Sequence, residues 1–284
     1  MKICKTIDDM RAASRRTHLE KRTLGFVPTM GALHEGHLSL VRAAKSKCDV
    51  VAVSIFVNPL QFGPSEDLAK YPRTFERDVA LLEREAVDIL FAPAPEEMYP
   101  AGAVTCVTVE GLSEKLCGRS RPGHFRGVTT VVAKLFNIVQ PDFAFFGQKD
   151  AAQATIIRRM ARDLNFPVEI VVCPIVREPD GLAMSSRNAY LSPQERRSAL
   201  VLSRSLKEIS NLFDQGERSA IKLIAAGKQV LSLDPAVRLD YLEIVEPASL
   251  DPVQELTSPA LVAVAAFVGN TRLIDNVLLP EPRI

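Results

Sequence analysis

Gly25-Phe26-Val27-Pro28-Thr29-Met30-Gly31-Ala32-Leu33-His34-Glu35-Gly36-His37 reads as a short buried strand, a glycine-bearing turn and the opening of a helix. That junction is where α/β proteins hold phosphate, because a helix amino end carries partial positive charge and free N–H donors. His34 and His37 stand three residues apart ahead of the apolar-periodic run Leu38, Leu40, Val41 and Ala44, which predicts both imidazoles on one face of the first helical turn. Two of the chain's four histidines thus sit together. They suit charge developing on a phosphate better than an apolar ligand. His-Glu-x-His is one residue short of the zinc-binding His-Glu-x-x-His, and no third cluster of His, Cys or paired carboxylates lies at metal-ligand spacing.

The rest of the chain extends this unit. Val50 to Val57 is a continuous β-branched run, the mark of a strand covered on both faces, and Asn58-Pro59 ends it. Thr74 to Ala86 has helical periodicity; Asp88 to Phe91 and Val104 to Val109 are strand-like. Val128 to Val139 predicts a helix feeding a strand over Phe143 to Phe146, followed by a helix over Ala151 to Leu164 and a strand over Val168 to Cys173. Such alternation specifies an α/β fold, a Rossmann-like doubly wound parallel sheet. After Pro174 the pattern changes to a turn cluster at Arg177 to Gly181, helices over Pro193 to Phe213 and Glu217 to Leu231, and extended segments near 239–245, 261–268 and 273–278. Residues 1–175 are expected to form a nucleotide- and substrate-binding domain, and 176–284 a smaller α+β domain closing over the site.

Composition bounds the function. The chain has 284 residues, 47% of them hydrophobic, enough for a large core. Its net charge of +1 gives no basic excess for nucleic acid. The amino-terminal ten residues lack an apolar signal core, and no apolar run is long enough to span a bilayer, so a cytoplasmic location is expected. Five scattered cysteines without a Cys-x-x-Cys pair read as reduced thiols.

In doubly wound sheets ligands collect beyond the carboxyl ends of the strands. That rule selects Pro28, Thr29 and Met30 after the first strand, Asn58 and Gln61 after the second, and Gly147, Gln148, Lys149 and Asp150 with Gln153 one turn on. Lys149 offers a compact charge at a helix start, and Gly147 leaves room for a ligand near the backbone. Gln61 and Gln153 are neutral amides that can fix hydroxyl and carboxylate oxygens. Met184-Ser185-Ser186-Arg187-Asn188 adds two hydroxyls and a guanidinium able to clamp phosphate oxygens.

Taken together, Pro28 to His37, Phe56 to Phe62, Arg121-Pro122-Gly123-His124-Phe125-Arg126-Gly127-Val128, Phe146 to Asp150 and Met184 to Asn188 resemble the pantothenate synthetase family. Those blocks run in family order across about two thirds of the chain. The resemblance implies a ligase that condenses pantoate with β-alanine, consuming ATP with Mg²⁺ and releasing AMP and pyrophosphate through a pantoyl adenylate. It implies ATP contacts from Met30, Gly31, Ala32, Leu33, His34, Glu35, Gly36 and His37, from Gly147, Gln148, Lys149 and Asp150, and from Val176, Met184, Ser185, Ser186 and Arg187. Pro28, Thr29, Met30, Asn58, Gln61 and Gln153 would serve pantoate, with Arg121 and His124 at the β-alanine or phosphate end. His37, His34 and Lys149 would be catalytic, His37 being the residue usually assigned as proton donor and here read as electrostatic. Asp78 and Asp150 are the carboxylates considered for Mg²⁺, Gln61 to Tyr71 the stretch considered as a lid, and a homodimer is expected from the likeness. Ala152 departs from the family, which often has two consecutive glutamines here; Gln153 keeps its place. Two other readings stay open: an adenylyltransferase on the same fold with a phosphorylated acceptor, and a nucleotide-binding regulatory module without turnover.

Overall fold

The computed structural model describes residues 1–64 and 66–280. Strands β1 (Lys2–Cys4), β2 (Leu24–Thr29), β3 (Val50–Ile55), β4 (Ile89–Phe91), β5 (Phe143–Gly147) and β6 (Glu169–Cys173) form one parallel sheet in the order β1-β4-β3-β2-β5-β6. Its helices are α1 (Ile7–Leu19), α2 (Glu35–Lys47), α3 (Phe75–Arg84), the single turns α4 (Pro95–Met98) and α5 (Cys117–Ser120), α6 (His124–Val139) and α7 (Ala151–Asp163). Successive strand residues go to opposite sides, as the pleat requires. Val27, Val53, Leu90 and Phe145 meet Leu40, Val41 and Leu82 of α2 and α3. Phe26, Ala52, Phe91 and Phe146 join Met10 of α1 and the apolar faces of α6 and α7.

The strand order reverses beside β2, and the pairing there is unequal. β2 pairs with β3 along its whole length from Leu24 to Thr29, but with β5 only through Gly25–Phe143 and Phe26–Ala144. Beyond that register β2 and β5 part, which opens a crevice at the topological switch point.

Strands β7 (Val237–Val245), β8 (Ala260–Val268) and β9 (Thr271–Leu279) make a separate antiparallel sheet, ordered β7-β8-β9. β8 is buried on both faces: Val262, Val264 and Ala266 meet α8 (Pro193–Asp214) and α9 (Ala220–Leu231), while Leu261, Ala263 and Ala265 join the core beside α6 and α7. The smaller sheet is thus seated on the larger unit by apolar packing.

The Val104–Val109 segment, expected as a strand, lies in no sheet. Hydroxyls of α6 take its backbone instead: Val107 N–H donates to Thr130 Oγ1 (3.0 Å) and Thr129 Oγ1 donates to Val107 O (2.6 Å), while Val104 is 90% exposed. The helix expected from Glu217 begins at Ala220, because the Glu217 carboxylate accepts the Arg218 and Ser219 N–H groups (3.0 and 2.9 Å). β1 and α1 have no strong apolar period to announce them: α1 buries only Met10, Ala13, Ser14 and Thr17. A subtler signal is present in Thr6-Ile7-Asp8-Asp9, since Thr6 caps α1 by accepting the Asp9 N–H (3.1 Å). Among the described residues no helix is long and apolar enough to cross a membrane.

Candidate active site

The turn after β2 carries Gly31 at φ +83° and Ala32 at φ +50°, both left-handed, and the alanine bears the steric cost of that region. Asp78 of α3 fixes this turn. It is 1% exposed, and its carboxylate accepts N–H groups from Ala32 (2.9 Å) and Leu33 (2.9 Å) and the Thr74 hydroxyl (3.1 Å). Thr29 Oγ1 accepts the Gly31 N–H (3.2 Å). Asp78, a candidate for Mg²⁺ by sequence, has its oxygens occupied by the turn instead. Gly31, Ala32 and Leu33, expected to touch ATP, form the platform under the site, with these backbone donors already bonded.

The turn delivers His34 as the N-cap of α2 and His37 as its third residue, with ring centroids 4.1 Å apart. His34 Nδ1 accepts the Gly36 N–H (3.1 Å), and His37 Nδ1 accepts the His34 N–H (3.3 Å). Gly36 permits this fold-back: a Cβ there would lie 2.9 Å from His34 Cε1. The helix end therefore offers less free backbone than its sequence implied, because the imidazoles cap it. With Nδ1 accepting in both rings, the neutral tautomer carries its proton on Nε2. Burial, followed by the charge of Lys149, lowers His34 to about 4. Burial, then His34 and Lys149, lowers His37 to about 3. Both are neutral Nε2–H donors at pH 7. Glu35, the remaining member of the run, turns outward to Arg42.

Beyond the end of β3, Asn58 is 1% exposed and uses all four of its hydrogen-bonding positions inside the protein. Its Oδ1 accepts from Tyr99 OH (2.8 Å) and Leu60 N (3.3 Å), and its Nδ2 donates to Gly127 O (3.0 Å) and Gln61 Oε1 (3.1 Å). Asn58, expected to hold substrate, borders the cavity together with Gln61 and holds the Gln61 amide, which donates to Met30 Sδ (2.9 Å). α6 approaches so closely that a Cβ on Gly127 would stand 2.2 Å from Leu60 O.

Pro28, Thr29, Met30, His34, His37 and Gln61 line a cavity of about 230 Å³. Gly147 and Gln153 reach it from the β5 side, and Val176, Met184 and Ser186 from the other wall. Lys149, Asp150, Ser185 and Arg187 lie where it meets a wider cavity of about 1020 Å³ beneath the antiparallel sheet. Gln148 turns away to Asn276 (2.9 Å).

Both site arginines carry carboxylate partners from consecutive residues that sequence reasoning passed over. Arg121 grips Glu66 through Nε (2.7 Å) and Nη2 (2.6 Å), with Nη1 3.0 Å from His124 Nε2. Arg187 grips Asp67 through Nε (3.0 Å) and Nη2 (2.9 Å). Within the stretch considered as a lid, Tyr71 OH lies 3.4 Å from Ser186 Oγ, and Ser65 lies outside the described residues.

Residues 2–278 match the pantoate-beta-alanine ligase family. The chain belongs to that family. Its activity is the ligation of pantoate to β-alanine, giving pantothenate. It is 60% identical over 279 residues to a pantothenate synthetase of Koribacter versatilis, covering 98% of this chain and 96% of that one. It is 62% identical over 292 residues to the enzyme of Acidobacterium capsulatum, covering 99% and 98%. A pantothenate synthetase structure from Thermus thermophilus superposes with a TM-score of 0.93 at 51% identity, over 98% of this chain and 99% of that one. A ligase from Francisella tularensis, solved with β-γ ATP and β-alanine, gives 0.80 at 35% identity over 98% and 97%.

Two outcomes follow from the turn and its histidines. Asp78→Ala leaves two buried N–H groups unpaired and should cost about 3 kcal/mol of stability, whereas Asp78→Asn keeps an acceptor and should cost roughly half as much, read by chemical denaturation. His34 and His37 take up protons in the unfolded chain near the ordinary value of about 6.5 but not in the folded one until pH 4 or below. Stability is therefore full above pH 6.5 and falls as pH drops through 6.5 to 4. His37→Asn should make that fall in Tm shallower; an unchanged slope would show that His37 does not drive it.

Proposed function

We propose that the ligation runs in two steps at the mouth of the β2–β5 crevice, with ATP as the activating substrate. A carboxylate oxygen of pantoate attacks the α-phosphorus of ATP; the bond from that phosphorus to the bridging oxygen breaks, and pyrophosphate leaves with the electron pair. The β-alanine amine then attacks the acyl carbon of the pantoyl adenylate, the carbon–oxygen bond to AMP breaks, and the amine gives up a proton. The observation that carries this reading is the close pair of His34 and His37 imidazoles, lining one cavity with Gln61, Gln153 and Lys149.

Pantoate lies between Gln61 and Gln153, beside Met30 and Thr29, where amides bind its hydroxyls and carboxylate without changing their charge. The α-phosphate lies against His34 and His37. A neutral imidazole suits this position because it donates a hydrogen bond to charge growing on phosphoryl oxygen and has no proton to lose first. Lys149 and Arg187 receive the departing pyrophosphate, whose charge displaces Asp67 from Arg187. Val176 and Met184 border the nucleotide. Arg121 and His124 take the carboxylate of β-alanine in place of Glu66.

Asp150 fits a Mg²⁺ ion held chiefly by phosphate oxygens and water, since its carboxylate is half-exposed and its nearest cation, Lys149, stands 3.7 Å away. When bound there, the ion neutralises the triphosphate. Residues 1–175 form the binding unit, and 176–284 the unit whose 176–187 segment closes the site. The enzyme works in the cytoplasm as a homodimer, for which the exposed segment around Val104 offers a surface.

Incubation with ATP, Mg²⁺ and pantoate, with and without β-alanine, tests the reading by mass spectrometry. AMP and pantothenate should appear together when β-alanine is present, and pantoyl adenylate should be trapped without it. His37→Ala should lower kcat by about 10²–10³-fold, the loss expected for one donor aimed at transition-state charge, with little change in the KM for pantoate. AMP formation without pantoate, or a His37→Ala enzyme at full rate, would refute it.

A further inference from the structure

Lys149 stands in a single 3₁₀ turn, Gln148–Asp150, between β5 and α7. A lysine on such a turn is only as well aimed as the backbone beneath it. That backbone is held from the antiparallel sheet. Asn276 of β9 is 3% exposed; its Nδ2 donates to both Gln148 O (2.9 Å) and Lys149 O (2.9 Å), and its Oδ1 accepts from Gln148 Nε2 (2.9 Å). One amide thus bonds two adjacent carbonyls and the side chain of Gln148. Buried polar groups satisfied to this degree fix a single geometry.

The neighbouring residue extends the grip to the other phosphate-facing segment. Asp275, 4% exposed, accepts the Asn276 N–H at Oδ1 (2.8 Å) and holds Arg177 through two bonds (2.6 and 3.0 Å). Arg177 also donates to Gly181 O (3.1 Å) and bridges to Ala183, so it anchors the loop that leads directly into Met184 to Arg187. Two consecutive residues of one strand therefore tie together the Lys149 turn and the Ser-Ser-Arg segment. Neither touches the narrow cavity where pantoate is placed.

We propose that Asn276, which borders the wider cavity but not the narrow one, is a positioning residue for the ligase reaction, holding Lys149 in register with Ser185, Ser186 and Arg187, so that β9 belongs to the phosphate site through the backbone it holds. This rests on the reading of Lys149 as the charge that meets departing pyrophosphate. A displacement of about 1 Å in such a group costs on the order of 10²-fold in rate. Asp275 supports the same alignment from the Arg177 side.

The test is a double-mutant cycle in the full-length enzyme on kcat for pantothenate formation. Asn276→Ala should lower kcat about 10–100-fold while the KM for pantoate stays within about threefold. In a Lys149→Ala background the same substitution should change kcat by less than about threefold, because the group it positions is gone. Equal losses in both backgrounds would overturn the proposal, since general weakening of the fold does not depend on Lys149; so would a wild-type kcat for Asn276→Ala. Full activity of Lys149→Ala alone would instead overturn the role of Lys149 and, with it, this inference. Should Asn276→Ala not fold, Asn276→Ser, whose short hydroxyl cannot reach both carbonyls, carries the same expectations.

Discussion

The carboxylate of Asp78 is the constraint on which the site depends. A chain that leaves β2 and enters α2 through two left-handed residues carries a conformational cost, most of it at Ala32, and exposes N–H groups in a place without water. Asp78 meets both demands by accepting the Ala32 and Leu33 N–H groups from inside the core. The turn's direction then fixes where α2 begins, and the start of α2 fixes both imidazoles. The placement of both imidazoles is inherited from a buried, hydrogen-bonded carboxylate that lies outside the cavity.

The same logic recurs on the other walls. Asn58 ties Gln61 to Tyr99 and Gly127, Gly127 lets α6 press against the Leu60 carbonyl, and Asn276 holds the carbonyls under Lys149. Gln61 and the Lys149 turn each have a partner behind them that is almost fully buried. The histidines depart from this plan: each ring stabilises the helix start through Nδ1, which leaves Nε2 for the proposed contact with phosphate. Structural and chemical roles divide between two nitrogens of one ring, and burial keeps the ring neutral. The arginines are poised differently, with Glu66 and Asp67 holding them as carboxylates from a ligand would.

Much of the fold was legible because it rests on local periodicity. The β-branched run at Val50 to Ile55 and the helices at 128–139 and 151–164 follow from one-dimensional patterns, and strand-end placement gathers Met30, Gln61, Lys149 and Gln153 at one sheet edge. What escaped depends on contacts between distant residues. Val104 to Val109 has a strand's composition, but Thr129 and Thr130 take the N–H and C=O of Val107 at its centre. Asp78 looks from sequence like any acidic residue on a helix, and only its burial against a turn 45 residues earlier reveals its work. Asn276 lies 127 residues from Lys149 in sequence, and no motif joins them. Periodicity reports which face of an element is buried, and it is silent about which polar group answers which.

The proposed mechanism requires His34 and His37 to enter the reaction as neutral donors through Nε2. Heteronuclear NMR of protein labelled with nitrogen-15 in its histidines, with His34→Gln and His37→Gln used for assignment, reads this directly. Both rings should show the Nε2–H tautomer and should not titrate between pH 8 and 5. An Nδ1–H tautomer, or protonation of either ring near pH 6.5, would contradict that requirement.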